Sequence, residues 1–167
     1  MIKRKHILVF LSIFLQGIFQ FAGAQGYKSS FPTVDVLLID SSTIYQTKTI
    51  AKDKPVVLLT FNTTCEHCQH MAQELTTKKN QLENILFVMI STESISTIRN
   101  FYNQYSLSKM KGLIIGRDLN LVTPRLFMYE SFPFCAIYTR KHQFIGAFER
   151  NFTADTIINE LKKNREL

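Results

Sequence analysis

The sequence predicts an α/β fold, a mixed central β-sheet with helices on both faces. Three observations predict it. Val56-Val57-Leu58-Leu59-Thr60-Phe61 and Ile85-Leu86-Phe87-Val88-Met89-Ile90 are apolar on both faces, the mark of strands covered on two sides. Each is followed by a helical pattern, since Cys68, Met71, Ala72 and Leu75 recur at i, i+3, i+4 and i+7, and Ile95, Ile98, Phe101, Tyr102 and Tyr105 also keep helical spacing. The C-terminal part reads as two strands around a polar turn, then a last helix. Alternating βα units closed by a hairpin and a helix give that layered architecture.

The elements follow in order. Lys3, Arg4, Lys5 and His6 are a basic start, Ile7 to Leu15 is apolar except for Ser12, and Ala22-Gly23-Ala24 is an A-x-A site. This is the pattern of a secretory signal peptide cleaved after Ala24, leaving one domain over 25–167. An uncleaved membrane anchor is the alternative. The apolar run is short for a span of ~20 residues, and Gln16 and Gln20 interrupt its extension. Tyr27 to Pro32 reads as a polar leader. Thr33 to Ile39 is a strand, and Thr43 to Lys52 is a second short strand or an irregular segment; together they extend the sheet on its N-terminal side. Asp53-Lys54-Pro55 is a turn before the first buried strand. Ser91 to Ser94 supplies capping residues for the second helix. Leu113-Ile114-Ile115 is a short apolar run, strand or helix. Pro124 fits the first turn of a helix running to about Tyr129, which Ser131-Phe132-Pro133 ends. Phe134 to Thr139 and Gln143 to Phe148 form the hairpin. Thr153 caps the last helix, whose Ile157, Ile158 and Leu161 face inward.

Composition narrows the function classes. The chain has 167 residues, 46% hydrophobic and 20% charged, an ordinary globular balance that excludes disorder. The formal charge of +7 falls by three once Lys3, Arg4 and Lys5 leave with the signal. The remaining Lys and Arg are scattered apart from Lys78-Lys79 and Lys162-Lys163, so a nucleic-acid partner is not expected. Export would bring Cys65, Cys68 and Cys135 into a compartment where disulfides persist. An odd count fits one working pair and one free thiol better than a stapled scaffold.

The chain is organised around Thr60-Phe61-Asn62-Thr63-Thr64-Cys65-Glu66-His67-Cys68. A strand that delivers a Cys-x-x-Cys pair onto a helix N-terminus is the layout of a thiol–disulfide redox site. A free thiol with pKa ~8.5 is only a few per cent ionised at neutral pH. At the helix N-terminus, unpaired N–H groups and the dipole favour a Cys65 thiolate by about 0.3–1 kcal/mol. Cys65 is thus the candidate attacking sulfur. Cys68, one turn in and on the core stripe, is the candidate resolving thiol. Glu66 and His67 tune the pair in opposite directions. A protonated His67 stabilises the thiolate, and Glu66 opposes it by about 1 kcal/mol under water-like screening.

These residues resemble the thioredoxin superfamily, and most of all its exported TlpA/ResA-type branch, as in small Bacteroidetes-like redoxin proteins. The resemblance covers about Phe31 to Leu161. It rests on Pro55 to Phe61, Cys65-Glu66-His67-Cys68, Phe132-Pro133 before a strand, Ala136-Ile137-Tyr138, Gly146-Ala147-Phe148 and the last helix. It implies a thioredoxin fold, disulfide exchange with protein substrates, and a cis proline at Pro133 set against the cysteines. There the backbone at Phe132 and Pro133 would bind an extended substrate segment. It implies no cofactor. The chain departs from the pattern at Thr64, where the family usually has Trp, and at Leu59 and Met71, where family members carry a buried carboxylate. Glu66, His67 or water is left to take the proton.

Two alternatives stand beside this reading. A metal carrier would bind copper or zinc through the two thiolates with His70 and Met71. Residues two apart on a helix lie about 200° apart, which turns His70 away from Cys68, so no metal ligand is assigned. A binding module of the same fold would keep the pair as an idle disulfide. A peroxidase reading fails on Asn62, which stands where the peroxiredoxin pattern has Thr or Ser. Cys135 is expected to be a buried core thiol, and Phe132 with Phe134 either a substrate lip or core. The expected partners are protein thiols and disulfides and a redox partner such as a membrane thiol carrier, acting on a monomer.

Overall fold

The computed structural model describes residues 30–167. The signal-peptide expectation lies outside the described residues. Seven strands of the described residues form one sheet: β1 (Asp35–Leu38), β2 (Ile44–Gln46), β3 (Val56–Thr60), β4 (Leu86–Ser91), β5 (Leu113–Asp118), β6 (Phe134–Tyr138) and β7 (Phe144–Glu149). Among the described residues four helices pack on it: α1 (Glu66–Thr77), α2 (Ile95–Gln104), α3 (Val122–Phe127) and α4 (Ala154–Lys163). The strand order is β2-β1-β5-β4-β3-β6-β7. β3, β4 and β5 are parallel to their neighbours among themselves, and the remaining pairings are antiparallel.

The double-sided apolar runs take the centre, as expected. Every residue of β3 is buried. Strand alternation sends Val57 and Leu59 to one face and Val56 and Leu58 to the other. The first face is covered by α1, α2 and α4 through Cys68, Met71, Ala72, Leu75, Ile98, Phe101, Ile157, Ile158 and Leu161. The second is covered by α3 and by the segments that carry Phe31, Val34 and Ile50. Leu113 to Ile115 resolves as strand, because β5 runs beside β4 and must fill the sheet between β4 and β1.

Three segments take definite form. The polar leader is packed at its C-terminal end. Phe31 sets its ring edge-on to Tyr138 at 5.0 Å, and its N–H donates to the His142 carbonyl at 3.0 Å. Residues 43 to 52 divide into β2 and a short 3-10 turn, Thr47–Thr49, whose buried Thr47 hydroxyl donates to the Pro32 carbonyl at 2.6 Å. α3 ends at Phe127 because Met128 adopts a left-handed backbone, φ +48°. Gly116 answers a contact that only tertiary structure creates. A Cβ there would lie 2.2 Å from the Leu37 carbonyl oxygen, so β1 could not pair with β5.

Candidate active site

The site forms where β3 ends. Asn62 turns the chain there, its side-chain oxygen accepting the Thr64 N–H at 2.9 Å and the Thr64 hydroxyl at 2.7 Å. α1 then starts at Glu66 with Cys65 as its N-cap residue, in extended conformation. The Cys65 carbonyl accepts from Cys68 N–H and Gln69 N–H, both at 3.0 Å, while its side chain caps nothing. Both cysteines are free thiols.

Burial separates the two sulfurs. Cys65 is half-buried at the surface of the first-face core, and Cys68 is only 2% exposed. Burial pushes the Cys68 thiol far up. A backbone hydrogen bond from Asn62 opposes the shift, whereas the neighbouring Cys65 and the charge of Glu93 add to it. Glu66 and His67 occupy the first turn of α1, both exposed. His70 is exposed too, and Met71 is buried at 3%. Among the described residues no three His, Cys, Asp or Glu side chains converge closely enough to hold a metal ion.

The second loop comes from the far side of the sequence. The Phe132–Pro133 peptide bond is cis. The Cys65 thiol donates to the Phe132 carbonyl at 3.6 Å, across 67 positions of sequence. Pro133 is buried and its carbonyl accepts the Arg150 N–H at 2.8 Å. Glu149 holds the same loop, its Oε2 accepting the Ser131 N–H and hydroxyl, both at 3.1 Å, and the Glu130 N–H at 3.2 Å. Phe132 is half-buried against the Tyr129 ring, with centroids 5.3 Å apart. Phe134 belongs to the core of the second face at 4% exposure, whereas Phe132 and Cys65 both pack against the edge of the first-face core.

Leu59 and Met71, where the family pattern would place a carboxylate, are both core residues. A carboxylate nonetheless reaches the site from a place the sequence reading did not consider. Glu93, just past β4, accepts the Thr63 N–H at 2.8 Å and the Thr63 hydroxyl at 2.9 Å. One signal could have found it. β4 is the parallel neighbour of β3, so Ser91 to Ser94 must emerge at the same sheet edge as Cys65. In open α/β sheets that edge, at the strand C-termini, is where sites assemble.

No family model matches the chain, and no curated protein matches it in sequence. Solved structures do match its fold. A secreted Mycobacterium tuberculosis disulfide oxidoreductase homologous to E. coli DsbE is 18% identical, with a TM-score of 0.61 over 79% of this chain and 95% of that one. A thiol-disulfide oxidoreductase from Bacteroides fragilis is 12% identical, with a TM-score of 0.65 over 81% and 99%. A putative thioredoxin from Neisseria meningitidis is 11% identical, with a TM-score of 0.64 over 81% and 89%. At such identities likeness speaks for fold alone, and the fold of this chain is the thioredoxin fold.

Proposed function

We propose that the protein is an exported thiol–disulfide oxidoreductase that exchanges disulfides with protein substrates through Cys65-Glu66-His67-Cys68. The observation that carries this is the pairing of an accessible thiol with a buried one. Cys65 sits at a helix N-terminus against the Phe132 carbonyl, and Cys68 lies one turn deeper. The helix N-terminus offers unpaired N–H groups to a Cys65 thiolate.

The exchange runs in two displacements. The Cys65 thiolate attacks one sulfur of a substrate disulfide, an S–S bond forms to the substrate, and the substrate's own S–S bond breaks. The departing sulfur leaves as a thiolate and takes a proton from water. Cys68 then loses its proton and attacks Cys65. The Cys65–Cys68 disulfide forms, and the second substrate thiol is released. Substrate has gained two electrons and two protons, and the protein has lost them. The reverse sequence oxidises a dithiol. Burial of Cys68 keeps it protonated until a mixed disulfide exists, so the entering substrate meets one nucleophile. Phe132 and Pro133 would line an extended substrate segment beside Cys65. Glu66 and His67 would tune the thiolate from the first turn of α1. Export after cleavage at Ala24 supplies a compartment in which such exchange has substrates. No described helix is long and apolar enough to cross a membrane.

Cys65→Ser is expected to abolish exchange with a model protein disulfide, and Cys68→Ser to accumulate covalent adducts that reductant releases. Retained exchange in Cys65→Ser, or a Cys68→Ser protein that traps nothing in the exporting cell, would sink the proposal. A tightly held metal equivalent in the reduced protein would favour the carrier reading instead.

A further inference from the structure

Glu93 is half-buried and lies immediately before Ser94, the residue that caps α2 by accepting the Thr97 N–H. The helix therefore does not need Glu93 for its own start. Its carboxylate turns away from α2 and back across the sheet edge. There Oε2 accepts the Thr63 N–H at 2.8 Å and the Ser91 hydroxyl at 3.1 Å, and Oε1 accepts the Thr63 hydroxyl at 2.9 Å. The Glu93 N–H closes the arrangement by donating to the Ser91 hydroxyl at 3.2 Å. Thr63 stands two residues ahead of Cys65 in the turn that presents the thiol.

We propose that Glu93 is a positioning residue for the cysteine pair, fixing the Cys65 loop to the end of β4 through Thr63. The turn between Phe61 and Cys65 carries backbone N–H groups that the sheet no longer serves, and a loop with unserved donors can adopt several conformers. A carboxylate binding both the N–H and the hydroxyl of one residue selects one of them, and bonds to an ionised acceptor are stronger than neutral ones. Attack on a disulfide needs the sulfur held in line, so loss of that selection slows exchange. The same carboxylate brings a negative charge to the pair, and this charge opposes ionisation of Cys68.

The test compares Glu93→Ala and Glu93→Gln with the wild-type protein. It rests on the exchange reading for its rate measurement only. The glutamine oxygen can accept the Thr63 N–H and its amide can donate to the Thr63 hydroxyl, so it keeps the tether and drops the charge. Glu93→Ala is expected to exchange at least ~10-fold more slowly, and Glu93→Gln to stay within about 3-fold of wild type. Amide hydrogen exchange at Thr63 in the reduced protein is expected to be at least ~10-fold faster in Glu93→Ala and within about 3-fold of wild type in Glu93→Gln. Wild-type disulfide-exchange rates in Glu93→Ala, or a Thr63 amide unmoved by that substitution, would overturn the proposal. If Glu93→Ala does not fold, Thr63→Val, which lacks the hydroxyl that Oε1 holds, is expected to slow disulfide exchange at least ~3-fold, and wild-type rates there would overturn it. A wild-type protein that exchanges nothing would refute the function proposed above and leave the Thr63 amide as the judge of Glu93.

Discussion

Cys135 stands two residues from Pro133, yet it is fully buried on β6, in register with Leu59 on one side and Phe148 on the other. Burial with no compensating partner pushes its thiol far up, so it stays protonated and unreactive at pH 8. Iodoacetamide at that pH is expected to label the native reduced protein at Cys65, and Cys135 only after denaturant is added. Comparable labelling of Cys135 in the native state would show that β6 opens and that the third thiol belongs to the chemistry. The inward stripe of α1 was legible in advance, because Cys68, Met71, Ala72 and Leu75 follow the helical period and all four are buried. Glu93 was not, since a glutamate in a Ser/Thr-rich loop reads as solvated until its partner is known.

At the scale of the element, helix starts were readable and strand edges less so. Thr153 caps α4 in a reciprocal box. Its hydroxyl accepts the Thr156 N–H at 3.3 Å, and the Thr156 hydroxyl accepts the Thr153 N–H at 3.2 Å. The Ala154 N–H beside it donates to Glu74 of α1 at 2.7 Å, so the start of α4 is also fastened to the cysteine helix. Thr153→Ala is expected to lower stability by about 1 kcal/mol in urea unfolding, with the denaturant slope unchanged. No measurable loss would mean that water serves those N–H groups equally well. The ends of β1 and of α3 moved by a residue or two from their expected positions. β1 stops at Leu38 because the turn after it is built by Asp40, whose carboxylate accepts the Ser42 and Thr43 N–H groups at 2.9 and 2.8 Å. Those bonds to the ionised form, the Thr43 hydroxyl foremost, hold the Asp40 carboxyl down at about 2.

At the scale of the molecule, a single sheet joins two cores, and α1 is built into the larger one. Leu75 is fully buried there from the helix that carries Cys68 and starts at Cys65 as its N-cap residue. Leu75→Ala is expected to cost about 2–5 kcal/mol, the range for emptying a leucine site in a packed interior. The protein contains no Trp, so far-UV dichroism and Tyr fluorescence are the probes, and both should report one transition at the same midpoint. Separate midpoints would show that the N-terminal strands β1 and β2 unfold independently of the rest.

The sequence by itself determined most of the order of elements, all but β2 and β5, together with the central place of β3 and β4 and the seat of Cys65 and Cys68 at the start of a helix. Each of these is written in a short-range pattern: period two, period 3.6, or two residues between cysteines. What surrounds the thiols is tertiary: the family resemblance implied the Phe132–Pro133 loop, and only the structure brought in Glu93. Phe132 reaches Cys65 across 67 positions and Glu93 reaches Thr63 across 30, both over the sheet edge where β3 ends. No local period encodes such a meeting. It follows from strand order, which places β4 and β6 on either side of β3 and brings their loops to one place.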